Sequence, residues 1–221
     1  MIDEYKTLIP PNMFFTFKDI SQSFEKYIKL WFIRAEILSP VFDLYFSNIY
    51  TPKMYEEIRF LNVAQAIESY HRRMETTKKF DIDPKEHEER LIKIICFAPI
   101  EYKDWLLAKL KYSNEVSLSQ RLKEMLTHHE KIAEIFIGNK KEQKKFIRSV
   151  VDTRNFLTHF DKKSEAKGVK GFGLSILIEK IKIIIKTCLL EEIGMNNSEI
   201  EAILKRYKDK SFVSWDLVSW D

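Results

Sequence analysis

Five glycines and six prolines spread over 221 residues leave this chain few places to reverse tightly. A β-rich fold needs turn residues at short, regular intervals, because glycine supplies positive φ and proline pre-sets φ in a turn. Long helices need few of either, so the fold class expected is all-α. A hydrophobic fraction of 45%, with 13% aromatic, is enough to bury a core in one large domain or two small ones. The most apolar stretch, Leu174 to Leu190, places apolar residues at 174, 177, 178, 181, 184, 185, 188 and 189. That is the spacing of one helix face, and Glu179, Lys180, Lys182 and Lys186 on the other side exclude a membrane span of about 20 apolar residues. With no membrane segment and no signal-peptide pattern at the N-terminus, a cytoplasmic location is expected.

The same periodicity divides the rest of the chain. Residues 1–16 read as an extended lead-in anchored at Phe14 and Phe15, residues 17–210 as one helical domain, and residues 211–221 as a tail containing Val-Ser-Trp-Asp twice. Ser21 to about Leu38 predicts a helix stopped by Pro40, and a second segment follows from Val41 to Ile49. After Pro52, Met54 to about Thr77 forms a third, followed by a polar linker over 78–86 and a helix running from the Glu86–Arg90 region to Cys96. Tyr102 to Tyr112 gives a short helix, and Ser117 caps another that reaches Phe136. The next begins near Lys141 after Gly138 and Asn139, Asp161 to Gly171 is expected to be a mobile loop, and a last helix runs from Asn197 and Ser198 to Tyr207. Cys96 and Cys188 lie in apolar helical patterns and are expected to be reduced, buried and structural. The adjacent His128 and His129 would point about 100° apart on a helix and make a poor metal pair. No CxxC or zinc-type spacing occurs, and no cofactor or metal is expected.

Chemistry concentrates in Val150 to Asp161, which holds Arg154, Asn155 and His159 within a turn and a half. Asn155 and His159, four apart, share a helix face, whereas Arg154 lies roughly 140° round from His159. The three converge on one ligand if the helix bends or ends near Thr158, or if a second subunit supplies half of the site. A surface arginine and a histidine interacting with a helix C-terminus would give the same spacing. Ten Lys/Arg and four acids fall between Asn139 and Lys170, a local net charge of +6. Elsewhere 27 basic and 29 acidic residues leave −2, so the whole positive excess surrounds this stretch. A basic field suits a polyanionic ligand, and a solvated helix face is the alternative. In the third helix Gln65, Glu68, His71 and Arg72 form a polar stripe that either lines a site or faces water. Gln65, set deep in an apolar run, is expected to make a buried hydrogen bond.

Arg154 to His159 has the form of the R-x4-6-H motif, with a polar residue after the arginine, and so resembles HEPN-domain ribonucleases. Phe60 to Arg73, Val151 to Asp161 and the amphipathic helix after them, in that order, are similar to the ApeA-like HEPN domain of bacterial phage-defence proteins. The likeness covers roughly residues 12 to 208. Relatives usually carry a separate domain ahead of this region, and the residues before 12 are too few for one, so an isolated domain, a truncated gene or a stand-alone version is expected.

The resemblance implies a HEPN-type helical bundle with additional helices, a homodimer that faces two motifs across a cleft, and RNA cleavage without metal. In that scheme neutral His159 takes the proton of a ribose 2′-OH, and the partner's His159 protonates the departing 5′-oxygen. Arg154 holds a non-bridging phosphate oxygen, and Asn155 orients the imidazole or the phosphate. Lys162 and Lys163, with His71, Arg72 and Arg73 at the end of the matching third helix, are the candidate substrate-binding residues. The expected function is an endoribonuclease of anti-phage abortive-infection defence, with tRNA the substrate that the likeness suggests. The alternative is a non-catalytic helical module that binds RNA or a protein partner.

Overall fold

The computed structural model describes residues 13–74, 80–160 and 162–210. The expectations for residues 1–12 and for the repeated Val-Ser-Trp-Asp tail lie outside the described residues. Within them the chain is all-helical, with one isolated β-bridge between Phe80 and Glu115 and no strand. In chain order the helices are α1 (Phe17–Ile20), α2 (Phe24–Tyr50), α3 (Glu56–Arg73), α4 (Pro84–Phe97), α5 (Lys103–Leu110), α6 (Leu118–His128) and α7 (Glu130–Phe136). They continue with α8 (Lys140–His159), α9 (Lys162–Glu165), α10 (Phe172–Glu192) and α11 (Asn197–Lys210). No helix among the described residues is long and apolar enough to cross a membrane.

Helix α10 is the centre of the bundle. Twelve of its 21 residues are buried, more than one amphipathic face can account for. Leu174, Leu177, Ile181, Ile184 and Cys188 enter a core with α2, α3, α6 and α8, while Ile183 and Leu190 enter a second cluster with α7 and α11. The expected polar side of α10 is therefore also covered. Lys180 is buried, and the Lys186 ammonium lies 4.4 Å and 4.5 Å from the ring centroids of Phe14 and Tyr207, where burial lowers its pKa to about 8.

Several expected boundaries move for identifiable reasons. Pro40 does not stop a helix; α2 runs through it for 27 residues. The proline removes one backbone hydrogen bond at a cost of about 3 kcal/mol. Beyond it Val41, Phe42 and Tyr45 are buried, and each full side-chain burial stabilises by roughly 1.5–3 kcal/mol, so continuing outweighs stopping. The expected linker over 78–86 already contains the start of α4, where the Asp83 side chain accepts from the amides of Lys85 and Glu86 and Pro84 occupies the first turn. The helix capped by Ser117 breaks at His129, which ends α6 and begins α7 with φ −108° and ψ 45°. Gln65 is exposed, and so is Cys96 on the outer face of α4, in contrast to buried Cys188.

Candidate active site

Helix α8 is defined at its start by Asn139, whose side chain accepts from the amides of Lys141 and Glu142 while the Glu142 carboxylate accepts from the Asn139 amide at 2.6 Å. This capping box satisfies amides that a helix start leaves open. From there Phe146, Val150, Thr153, Phe156 and Leu157 turn inward at helical spacing. That register leaves Lys144, Arg148, Asp152, Asn155 and His159 on an outward stripe.

The register also separates Arg154 from His159. Arg154 flanks the buried stripe and leans toward α3, where its guanidinium lies 3.5 Å from the Glu68 carboxylate, with about 38% of the side chain exposed. Its other Nη donates to Asn155 Oδ1 at 3.4 Å. His159, the last residue of α8, is exposed and takes no hydrogen-bond partner among the described residues. The next residue, Phe160, has φ 49°, the left-handed region that costs a non-glycine residue about 1–2 kcal/mol, and its amide closes the helix on the Phe156 carbonyl at 2.6 Å. The helix therefore ends directly after His159.

The segment that follows folds back onto α8. It contains the short α9, and the Val169 amide donates to Thr153 Oγ1 at 2.9 Å. Gly168 passes so near Phe156 that a Cβ there would meet the ring at 2.8 Å. The expected mobile loop is thus tied down at its far end. Lys162 is exposed three residues beyond His159, whereas Asp161 and the Lys163 side chain lie outside the described residues.

The three residues proposed at the end of α3 divide. His71 is fully buried: its Nδ1 is 2.8 Å from Arg121 and its Nε2 is 2.9 Å from Glu124. An arginine can only donate, so Nδ1 accepts and the ring proton sits on Nε2, donating to Glu124. Burial lowers the His71 pKa, and His71 belongs to the interior of the bundle. Arg72 remains half exposed but pairs with Glu68 at 3.2 Å and Glu115 at 3.0 Å. Arg73 donates to the Ile37 carbonyl of α2 at 2.9 Å. Glu68, which holds Arg72 and Arg154 together, was not among the expected site residues; its place in the stripe of Gln65, Glu68, His71 and Arg72 is the signal that could have found it.

A second feature lies in no single segment. Between α6 and α8 runs a groove of about 520 Å³ whose lining includes Lys123, Lys140, Lys144, Arg148 and Asp152. The α8 lining of the groove ends at Asp152, and Asn155 and His159 follow three and seven residues further along the same stripe.

The family model for Apea-like HEPN matches residues 61–199, from within α3 to the start of α11. The chain belongs to the ApeA-like HEPN family. None of the curated proteins and none of the solved structures gives a significant match. HEPN domains are commonly ribonucleases, which supports a coarse nuclease reading of this one. Both Arg154 and His159 fall within the matched HEPN region, as do the groove and Glu68.

Proposed function

We propose that this HEPN domain is a metal-independent endoribonuclease in which Arg154 and His159 act on one phosphodiester. The observation that carries the reading is the exposed His159 at the end of α8, about a turn and a half beyond a partly exposed arginine and on the same helix stripe as Lys144 and Arg148 of the groove. An imidazole titrates near neutral pH and serves as general base toward a ribose 2′-OH, which is already held beside its own phosphate. Arg154 keeps donors free beyond its contacts with Glu68 and Asn155, and these would take a non-bridging oxygen as charge grows in the transition state. Among the described residues Glu68 is paired with Arg72 and Arg154 and Asp152 with Arg148, and the chemistry is assigned to the imidazole. A role in anti-phage abortive infection, a homodimeric active form and tRNA as the substrate belong to the same proposal and rest on the family.

The test is incubation of the purified protein with total RNA in EDTA, followed by end-group analysis. The expected fragments carry 2′,3′-cyclic phosphate and 5′-hydroxyl ends, with DNA and 2′-O-methylated RNA bound but uncut. Cleavage that requires added magnesium or manganese would overturn the mechanism. Binding without any cleavage would support the non-catalytic module.

A further inference from the structure

The break at His129 has a consequence at the opposite face of α6. His128 ends α6, His129 is the junction residue and Glu191 stands one residue from the end of α10. His128 Nε2 lies 2.8 Å from one Glu191 carboxylate oxygen and His129 Nε2 lies 3.4 Å from the other. One donor atom from each of the three residues lies within 4.8 Å of the other two. We propose that His128, His129 and Glu191 form a binding site for a divalent transition-metal ion of the zinc type, clamping the α6–α7 junction to the C-terminal end of α10.

The dimensions suit such an ion. Bonds of about 2.0–2.2 Å to imidazole nitrogen and carboxylate oxygen, in a tetrahedron, set neighbouring donors roughly 3.3–3.5 Å apart. The distances of 2.8 Å and 3.4 Å run to different Glu191 oxygens, and a set with one donor from each residue lies within 4.8 Å, so the donors draw together by up to about 1.5 Å on binding. The scaffold is fixed on both sides: His129 is buried with Nε2 3.8 Å from Cys188 Sγ, one turn before Glu191 on α10. The neighbouring Glu192 is committed elsewhere, accepting from Tyr70 at 2.9 Å and pairing with Arg34 at 3.0 Å, which leaves Glu191 to the two histidines. An entry path exists because His128 is 59% exposed and a cavity of about 120 Å³, bounded also by Tyr70 and Glu124, opens beside the three groups. Two nitrogens and one oxygen select zinc, cobalt or nickel over magnesium and calcium, and a water can complete the set. The expectation that adjacent histidines diverge fails because they do not share a continuous helix. The three ligands do not include the motif residues Arg154 and His159, and the site does not depend on the ribonuclease reading.

The experiment is titration of the chelator-stripped full chain with Co²⁺ and Zn²⁺. The cobalt bands in the visible region and the metal content after desalting are followed, and thermal unfolding is measured in parallel. One ion per chain is expected, and the unfolding temperature rises by roughly 5–10 °C at hundredfold excess over Kd. His128→Ala, at an exposed position, and Glu191→Gln, which keeps the shape, each weaken binding by at least about 100-fold, more than the loss of an outer-shell contact would. His159→Ala binds like the parent. Absence of stoichiometric binding, equal binding in His128→Ala and Glu191→Gln, or loss of binding in His159→Ala would each overturn the proposal.

Discussion

Replacing His159 with alanine removes an imidazole from the last position of α8 and leaves every packed contact of that helix in place. The side chain is exposed, so its one expected contribution to stability is interaction of the protonated ring with the helix C-terminus. That is worth roughly 0.3–1 kcal/mol. In a chain of this length, 1 kcal/mol moves Tm by about 2–4 °C, so the variant should melt within about 4 °C of the parent. The effect on activity is of another order. Losing a general acid or base costs roughly 10²–10⁴-fold, or about 2.7–5.4 kcal/mol of barrier. The assay is single-turnover cleavage of end-labelled RNA, with thermal unfolding of the same samples. A variant that keeps its Tm and loses cleavage by 10²-fold or more isolates the chemistry from the fold. Parent-like cleavage at an unchanged Tm would refute the role of His159, and a large drop in Tm would refute the view that α8 ends free of the core.

Arg154→Lys keeps the charge but loses the planar fork, and cleavage should fall about 10²-fold; a parent-like rate would reduce Arg154 to a generic cation. If about four of Lys123, Lys144, Arg148 and Arg154 neutralise phosphates, log Kd for single-stranded RNA should change with log salt at a slope of about 3 in magnitude, and a slope near zero would make the groove a solvated surface. Asp19 accepts a bidentate pair of bonds from Arg206 at 2.8 Å each, which lowers its pKa from 3.8 to about 2. A depressed carboxylate contributes stability that is present above about pH 4 and lost as pH falls toward 2, here about 1 kcal/mol after discounting the water-exposed side of Arg206. In urea unfolding the gap between the parent and Asp19→Asn should close over that window; an equal gap at pH 5 and at pH 2.5 would refute the assignment.

What the sequence disclosed was set by how local the cause is. The site helix was legible because its signals are neighbours in the chain: Gly138 and Asn139 at the start, a 3.6-residue apolar period, and the end near Thr158 and His159. Pro40 misled because the energy that carries α2 past it comes from α3 and α10, which periodicity within α2 cannot reveal. Gln65 and His71 were interchanged in burial for the same reason. The stripe named which residues share a side of α3, but only the arrival of α6, with Arg121 and Glu124, determines that His71 is enclosed. The convergence of His128 and His129 depends on one non-helical residue, and no spacing rule announces it.

The chain holds five histidines, and their positions bear on how the active unit is built. Cleavage through the 2′-OH moves two protons, one taken from the nucleophile and one given to the leaving oxygen, and two imidazoles serve this best when one is neutral and the other protonated. His71 is enclosed with both ring nitrogens taken, His87 lies 3.3 Å from Ser113 beside the α4–α5 pair, and His128 and His129 gather on Glu191. That leaves His159 as the histidine available beside Arg154, so a single chain supplies one imidazole to the reaction. A second copy placed face to face across the ends of α8 would supply the other, and would also bring an arginine to a histidine that its own helix holds about 140° away. Cleavage should therefore fall faster than linearly on dilution through the dimer dissociation range. Mixing His159→Ala with Arg154→Ala chains should restore part of the activity that each variant lacks alone, because a composite site can draw its arginine from one chain and its histidine from the other. A strictly monomeric and fully active protein, by light scattering at the assay concentration, would remove the second copy and require an acid other than histidine.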